Sequence, residues 1–332
     1  MKKYLYFILV FIFPMISAGQ DIHFSQAYSS PLTLNPASAG NFNGNYRVIC
    51  NYKNQWSAIS NLYKTVFASA DFVLAKKKKG GSYFGAGLSF YNDRSGKSKM
   101  GTNQVNIAIA DNIKLDRYNY FAAGLQFGYA QKGENVSNLK WDNQFNGTSY
   151  DPNLATGETD FGQQVNYLDI SAGLLWNFIP NDKDKATIGV SMFHINKPNQ
   201  AFSKTDKDPL SSKIVVHGDA EIKMGEKNAS IIPLVLFTSQ GKQNEINAGG
   251  LIKYGFGQDS KYTSTNKSST VSFGGLYRFK DAIIILVNMN YKNMLTFGFS
   301  YDINVSSLAI ASKGRGGMEL CIVYSGFFNK SK

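Results

Sequence analysis

Segments of about ten residues in which large apolar side chains alternate with small or polar ones recur along almost the whole chain. A period of two places one set of residues on each face of an extended strand, which a helix cannot do. Tyr120 to Lys132 shows it best: Phe121, Ala123, Leu125, Phe127 and Tyr129 share one face, and Ala122, Gly124, Gln126, Gly128 and Ala130 the other. Met294 to Ile303 repeats the pattern, with Leu295, Phe297, Phe299 and Tyr301 opposite Thr296, Gly298, Ser300 and Asp302. About fourteen such segments run from Tyr46–Lys53 to Gly317–Ser325, and about ten residues is the length a tilted strand needs to cross a bilayer.

Alternation alone fits a soluble sandwich as well as a membrane barrel. The start of the chain separates them. Met1 to Gly19 carries Lys2 and Lys3, an apolar run from Tyr4 to Ile16, and small residues Ser17 and Gly19 ahead of a cut before Gln20. These are the three parts of a secretory signal, and the apolar run falls short of the roughly 20 residues of a spanning helix. No cysteine follows closely enough for a lipoprotein cut. Many strands behind an export signal favour a barrel. In lipid every backbone group must pair within the protein, so strands have to close on themselves with apolar side chains outside. The mean hydropathy of −0.23 suits strands that average a lipid face with a lumen face. The expectation is an all-β chain: a transmembrane antiparallel outer-membrane barrel of about 14 strands over residues 46–328, preceded by an irregular segment at 20–45.

An even strand count puts both ends of the barrel chain on the periplasmic side. The long connections Gly133–Gln164 and Asn196–Ser211 then fall outside the cell, as in other such barrels. Gly255–Ser268 is periplasmic yet long, and Lys280-Asp281 external yet short. Pro233 interrupts its strand because it has no N–H for the ladder. Lys76–Lys79 forms a periplasmic charge run, read as a solvated hairpin tip or a docking point for an acidic partner. Losing Lys2 and Lys3 with the signal lowers the formal net charge from +12 to +10. In an exported chain this surplus points to acidic lipid head groups or a protein partner and away from nucleic acid. Cys50 and Cys321 fit either a disulfide or two free thiols.

Catalytic constellations are scarce. His23, His194 and His217 have no second His or Cys at metal-ligand spacing, and no Gly-x-Ser-x-Gly elbow exists. A rim-sited lipid hydrolase built on His194 and Asp169 is the enzymatic rival. Gly85-Ala86-Gly87 and Gly274-Gly275 lie inside strands without the helix a phosphate cradle needs. They are read as relieving crowding on the inner wall or permitting a bulge. Neither an enzymatic activity nor a cofactor or metal is expected.

The opening segment carries the most specific pattern. Asp21-Ile22-His23-Phe24-Ser25-Gln26, then Tyr28, Leu34-Asn35-Pro36-Ala37, Gly40 and Asn54-Gln55-Trp56 resemble the start of the PorP/SprF family, outer-membrane components of the type IX secretion system of Bacteroidetes. Phe193-His194-Ile195-Asn196-Lys197-Pro198-Asn199 resembles that family's strand-end His and Pro-Asn step. Phe297 to Ile303 with Ser306-Ser307-Leu308 resembles its penultimate strand and outer loop. Ser38, Lys53 and Met318 depart from it, standing where an aromatic, Arg and His are common. The resemblance implies a non-enzymatic barrel of the cell outer membrane. Its partners would be periplasmic and outer-membrane secretion proteins, outer-membrane lipid, and large secreted cargo such as adhesins, in secretion or gliding motility. It makes Phe24, Gln26, Asn35, Pro36, Gly40, Trp56, His194 and Pro198 candidate contacts of a partner or of a lumen plug. Structural readings stand beside these: Asn35-Pro36 as a turn and Trp56 as an interfacial anchor. The alternative function is a diffusion channel for small or apolar solutes.

Overall fold

The computed structural model describes residues 21–328, apart from 56–62, 77–80, 97, 99, 135–138, 158–163, 182–183, 204, 226–227, 257–268 and 308. The signal at 1–19, Trp56, the Lys77–Lys79 part of the charge run and most of the 255–268 connection therefore lie outside the described residues.

Fourteen strands form one closed antiparallel barrel in which each strand pairs with its sequence neighbours and β1 pairs with β14. They are β1 (Tyr46–Gln55), β2 (Tyr63–Lys76), β3 (Tyr83–Ser95), β4 (Met100–Lys114), β5 (Asn119–Gly133), β6 (Gln164–Phe178) and β7 (Lys185–Phe193). The second half comprises β8 (Lys213–Lys223), β9 (Ala229–Gln240), β10 (Gln243–Phe256), β11 (Ser269–Arg278), β12 (Ala282–Tyr291), β13 (Leu295–Asn304) and β14 (Arg315–Gly326). The strand count and the alternation agree with expectation. On β5 Leu125, Phe127 and Tyr129 face outward and are each more than half exposed, while Ala122 and Ala130 face inward and are fully buried. The large face is the outside of the wall, the inverse of a soluble sandwich, because the surrounding medium is apolar.

Aromatic pairs sit at the ends of the strands: Tyr46 with Phe328, Trp176 with Phe178, and Tyr254 with Phe256. Rings there match a belt at the membrane–water boundary, where an apolar body and a polar edge are both accommodated. Pro233 leaves its mark on the ladder. It keeps its place opposite Gly250 on β10, but the β8–β9 register runs from Asp219 opposite Leu234 directly to Ile222 opposite Ile231. The gap falls where proline has no hydrogen to donate.

Cys50 and Cys321 are both free. Asn51, not Cys50, stands opposite Cys321, so the two thiols point to opposite faces of the wall. Cys50 is on the exposed side, and Cys321 packs inside with Phe24, Ile49 and Phe67.

Candidate functional site

The inside of the barrel is occupied by the protein's own beginning. Residues 21–45 form no strand. Three short 3-10 turns, Ala27–Ser29, Pro31–Thr33 and Pro36–Ser38, keep this stretch compact. Pro31 and Pro36 open the second and third turns, where a missing N–H costs nothing and φ is already set. A polar segment inside a barrel needs partners for its backbone, since an unpaired buried group costs about 1–3 kcal/mol. Inward-facing side chains of the strands supply them in four clusters.

The first cluster lies at the end of the barrel that carries the long connections. His194, one residue beyond β7, sits in the left-handed backbone region with φ of 56°. Its Nδ1 is 2.8 Å from Asp169 Oδ1 and its Nε2 is 2.6 Å from Asp21 Oδ2. Lys213 Nζ lies 3.8 Å from the same Asp21 oxygen, and the Asp21 N–H donates to Gln240 Oε1. Burial alone would lower the imidazole pKa, but the charges of Asp21 and Asp169 and their hydrogen bonds prevail and push it up to about 9. Burial likewise opposes charge on Asp21, yet His194 and then Lys213 hold its carboxyl well below the usual range. Near neutral pH the cluster is an imidazolium clamped between two carboxylates.

The second cluster holds residues 23–26. Glu319 of β14, 1% exposed, accepts the N–H groups of Ser25 and Gln26, the latter at 2.9 Å. Lys53 of β1 faces Glu319 at 3.5 Å and donates to the His23 carbonyl at 2.7 Å. Ser25 Oγ donates to Asp302 of β13 at 2.7 Å and accepts from Arg278 of β11 at 2.8 Å, and Arg278 pairs with Asp302 at 3.1 Å. Phe24 packs its ring 5.9 Å from that of Phe67.

The third cluster is centred on Asn35, wholly buried. Its Oδ1 caps the Pro36–Ser38 turn by accepting the Ala37 N–H, and its Nδ2 donates to the carbonyls of Leu174 at 2.8 Å and Val190 at 3.3 Å. The wall has room for this because it lacks side chains here. A Cβ on Gly124 would lie 2.4 Å from Ala37 N, and one on Gly173 would lie 2.0 Å from Asn35 Oδ1. Tyr28, in the turn above, donates its hydroxyl to the carbonyls of Gly218 and Val235.

The fourth cluster lies toward the other end. The Gly40 N–H donates to Asp71 Oδ2 at 3.0 Å, and Arg47 closes on both Asp71 oxygens at 2.9 and 2.7 Å. The segment then joins β1: Asn45 donates to the Gly326 carbonyl and accepts from Val73. Residues 21–45 thus run the length of the lumen. Two of the spaces at the mouth beside Asp21, His194 and Lys213 are cavities of about 40 and 20 Å³, room for one or two waters.

Of the residues singled out from sequence, Phe24, Gln26, Asn35, Pro36, Gly40 and His194 come together on this lumen path. Pro198 does not join them; its carbonyl accepts from Leu210 and pins the β7–β8 connection. Trp56 lies outside the described residues. Sequence reasoning missed Asp21 as a partner of His194, and the charged receivers Lys53, Asp71, Arg278, Asp302 and Glu319. Their signal was available: an ionised residue on the small face of a barrel strand is tolerated only with a counter-charge. The geometry also bears on the hydrolase rival. His194 and Asp169 do meet, but the second ring nitrogen, where a nucleophile's hydroxyl would sit, holds the Asp21 carboxylate.

A closed fourteen-stranded ladder with an apolar exterior, aromatic ends and a charged, occupied lumen defines an outer-membrane β-barrel protein. The sequence pattern described as type IX secretion system membrane protein PorP/SprF matches residues 16–324, and the chain belongs to that family. It is a membrane component of the secretion system in the outer membrane, and other components of that system are its partners. Among solved structures, the chain is similar to a Pseudomonas aeruginosa FadL homologue, with a TM-score of 0.48 and 9% identity over 88% of this chain and 92% of that one. It is also similar to the Ralstonia pickettii toluene transporter TbuX, with a TM-score of 0.47 and 8% identity over 89% and 92% of the two chains. A third is BamA from Haemophilus ducreyi lacking POTRA domains 1-3, with a TM-score of 0.43 and 9% identity over 85% and 70%. No curated protein matches the chain.

Proposed function

We propose that this protein is a non-enzymatic component of type IX secretion that assists the export or surface attachment of large cargo proteins such as adhesins, and that residues 20–45 act as its lumen plug. One observation carries the reading: the segment crosses the lumen on four charged and hydrogen-bonded clusters. Among the described residues the segment fills space that a solute path would need, which favours the plug over the diffusion channel. The pairing of His194 with two carboxylates supports a structural role for that histidine over a catalytic one.

Single-channel recording on purified protein, paired with an adhesin secretion assay in a deletion strain, tests the proposal. Silent bilayers and lost secretion are expected. Steady conductance with normal secretion would establish the channel in its place.

A further inference from the structure

On the outward face of β3 to β6, at the end that carries the long connections, three cross-strand rows follow one another. The row nearest the middle of the wall, Phe90, Val105, Tyr129 and Leu168, is apolar and exposed. Next comes a row of amides, Asn92, Asn103, Gln131 and Asn166. The last row is Arg94, Gly101, Gly133 and Gln164. Two residues without side chains stand in the middle of that last row, and a polar hollow of about 190 Å³ opens over them. A Cβ on Gly101 would lie 1.9 Å from the Asp93 carbonyl oxygen, so the floor admits nothing larger than glycine there.

The chemistry of the hollow selects its occupant. Asn92 donates to Asn103, and Gln131 Nε2 donates to Gln164 Oε1 at 3.1 Å. Each pair spends one N–H and one carbonyl, and leaves a carbonyl oxygen on one partner and an amino group on the other. A hydroxyl both donates and accepts, so neighbouring ring hydroxyls of a sugar meet both kinds of group. A phosphate oxygen only accepts and an ammonium only donates, so either would leave half of the set unmet. Arg94 adds donors at the edge, but Asp93 and Glu134 set two carboxyl groups there as well, so the edge does not favour an anion. The apolar row lies two residues along the strands from the amides, about 7 Å, the reach of a sugar ring joined directly to its acyl chains with no phosphate between.

We propose that this hollow binds the sugar ring of one neutral glycolipid of the outer leaflet, its acyl chains running along Phe90, Val105, Tyr129 and Leu168. The site goes beyond the secretion reading and does not rest on it. The test is full-length protein in nanodiscs of phosphatidylethanolamine, phosphatidylglycerol, monoglucosyldiacylglycerol and monogalactosyldiacylglycerol in equal parts, extracted in a polyoxyethylene detergent that carries no sugar and weighed by native mass spectrometry. Wild type is expected to retain one glycolipid in about ten-fold preference over either phospholipid, the factor that two modest hydrogen bonds provide. Asn103→Leu combined with Gln131→Met keeps the bulk of the walls and removes their hydrogen-bonding groups. It is expected to lose the preference while its barrel still resists unfolding in cold detergent. Asn166→Leu, in the same amide row but outside the hollow, is expected to keep it. Should the double variant fail to assemble, Gln131→Met alone takes its place. Retention of neither glycolipid by wild type, a preference surviving in the folded wall variant, or its loss in folded Asn166→Leu would overturn the proposal. Methyl glucoside or methyl galactoside held by lipid-free protein as tightly as the glycolipid would assign the hollow to a soluble sugar and overturn it too.

Discussion

His194 is the side chain on which the outer end of the lumen segment turns. Its imidazole pKa is pushed up to about 9 from an ordinary 6.5. A group whose folded pKa is raised contributes stability that is fully present below about pH 6.5 and is lost as pH rises through about 9. The whole effect is on the order of 3 kcal/mol. The unfolding temperature in detergent should therefore fall between pH 6.5 and 9.5 in wild type and change little in His194→Gln. Glu319→Ala makes a second prediction. It removes the acceptor for two buried N–H groups and leaves Lys53 unpaired, a loss of about 3–5 kcal/mol of the kind that follows breaking a buried ion pair. Protease should then reach the stretch around Ser25 at lower detergent concentrations. Gly173→Ala should reproduce the defect of Asn35→Ala, since its new methyl would occupy the space of Asn35 Oδ1; both are read as reduced yield of heat-resistant barrel. Sequence made half of this set visible. His194, Asn35 and Gly40 stood in recognisable motifs, but Glu319 and Lys53 are single ionised residues in strands at opposite ends of the chain. Only barrel closure, which pairs β1 with β14, makes them neighbours.

The fourteen strands were legible because alternation is a local property; each segment announces both faces without reference to its partners. Observed boundaries moved by two residues at most; β1 continues past its apolar run through Asn54 and Gln55, whereas β7, expected to reach Ile195, stops at Phe193. The irregular segment was legible only as irregular. Its turns follow from Pro31 and Pro36, but its path through the lumen depends on receivers spread over ten strands, Asn112 of β4 among them, and no local pattern encodes that. Removing Asp21 to Asn41 should leave the barrel able to assemble, since no strand is lost, and should abolish cargo secretion. The truncated protein should also conduct ions in a planar bilayer. Wild-type secretion by this truncation would reduce the segment to a leader.

The whole molecule is held by two complementary arrangements: an outward apolar belt satisfied by lipid and an inward polar lining satisfied by the chain itself. In detergent it should give a strand-dominated circular dichroism spectrum and migrate faster unheated than boiled. Solubility without detergent would contradict the barrel. The same arrangement has a consequence for biogenesis. Asp21 is fastened at one mouth and Asn45 at the other, while β1 and β14 seal the ring between them, so the stretch joining the two mouths cannot be laid in sideways once the seam has shut. It is either in place when the last two strands meet or drawn lengthwise through a finished pore. The first route needs no passage of charged groups along a closed wall, and it gives residues 21–45 a place in the order of assembly: laid inside before the ring closes, a passenger of closure and not a requirement for it.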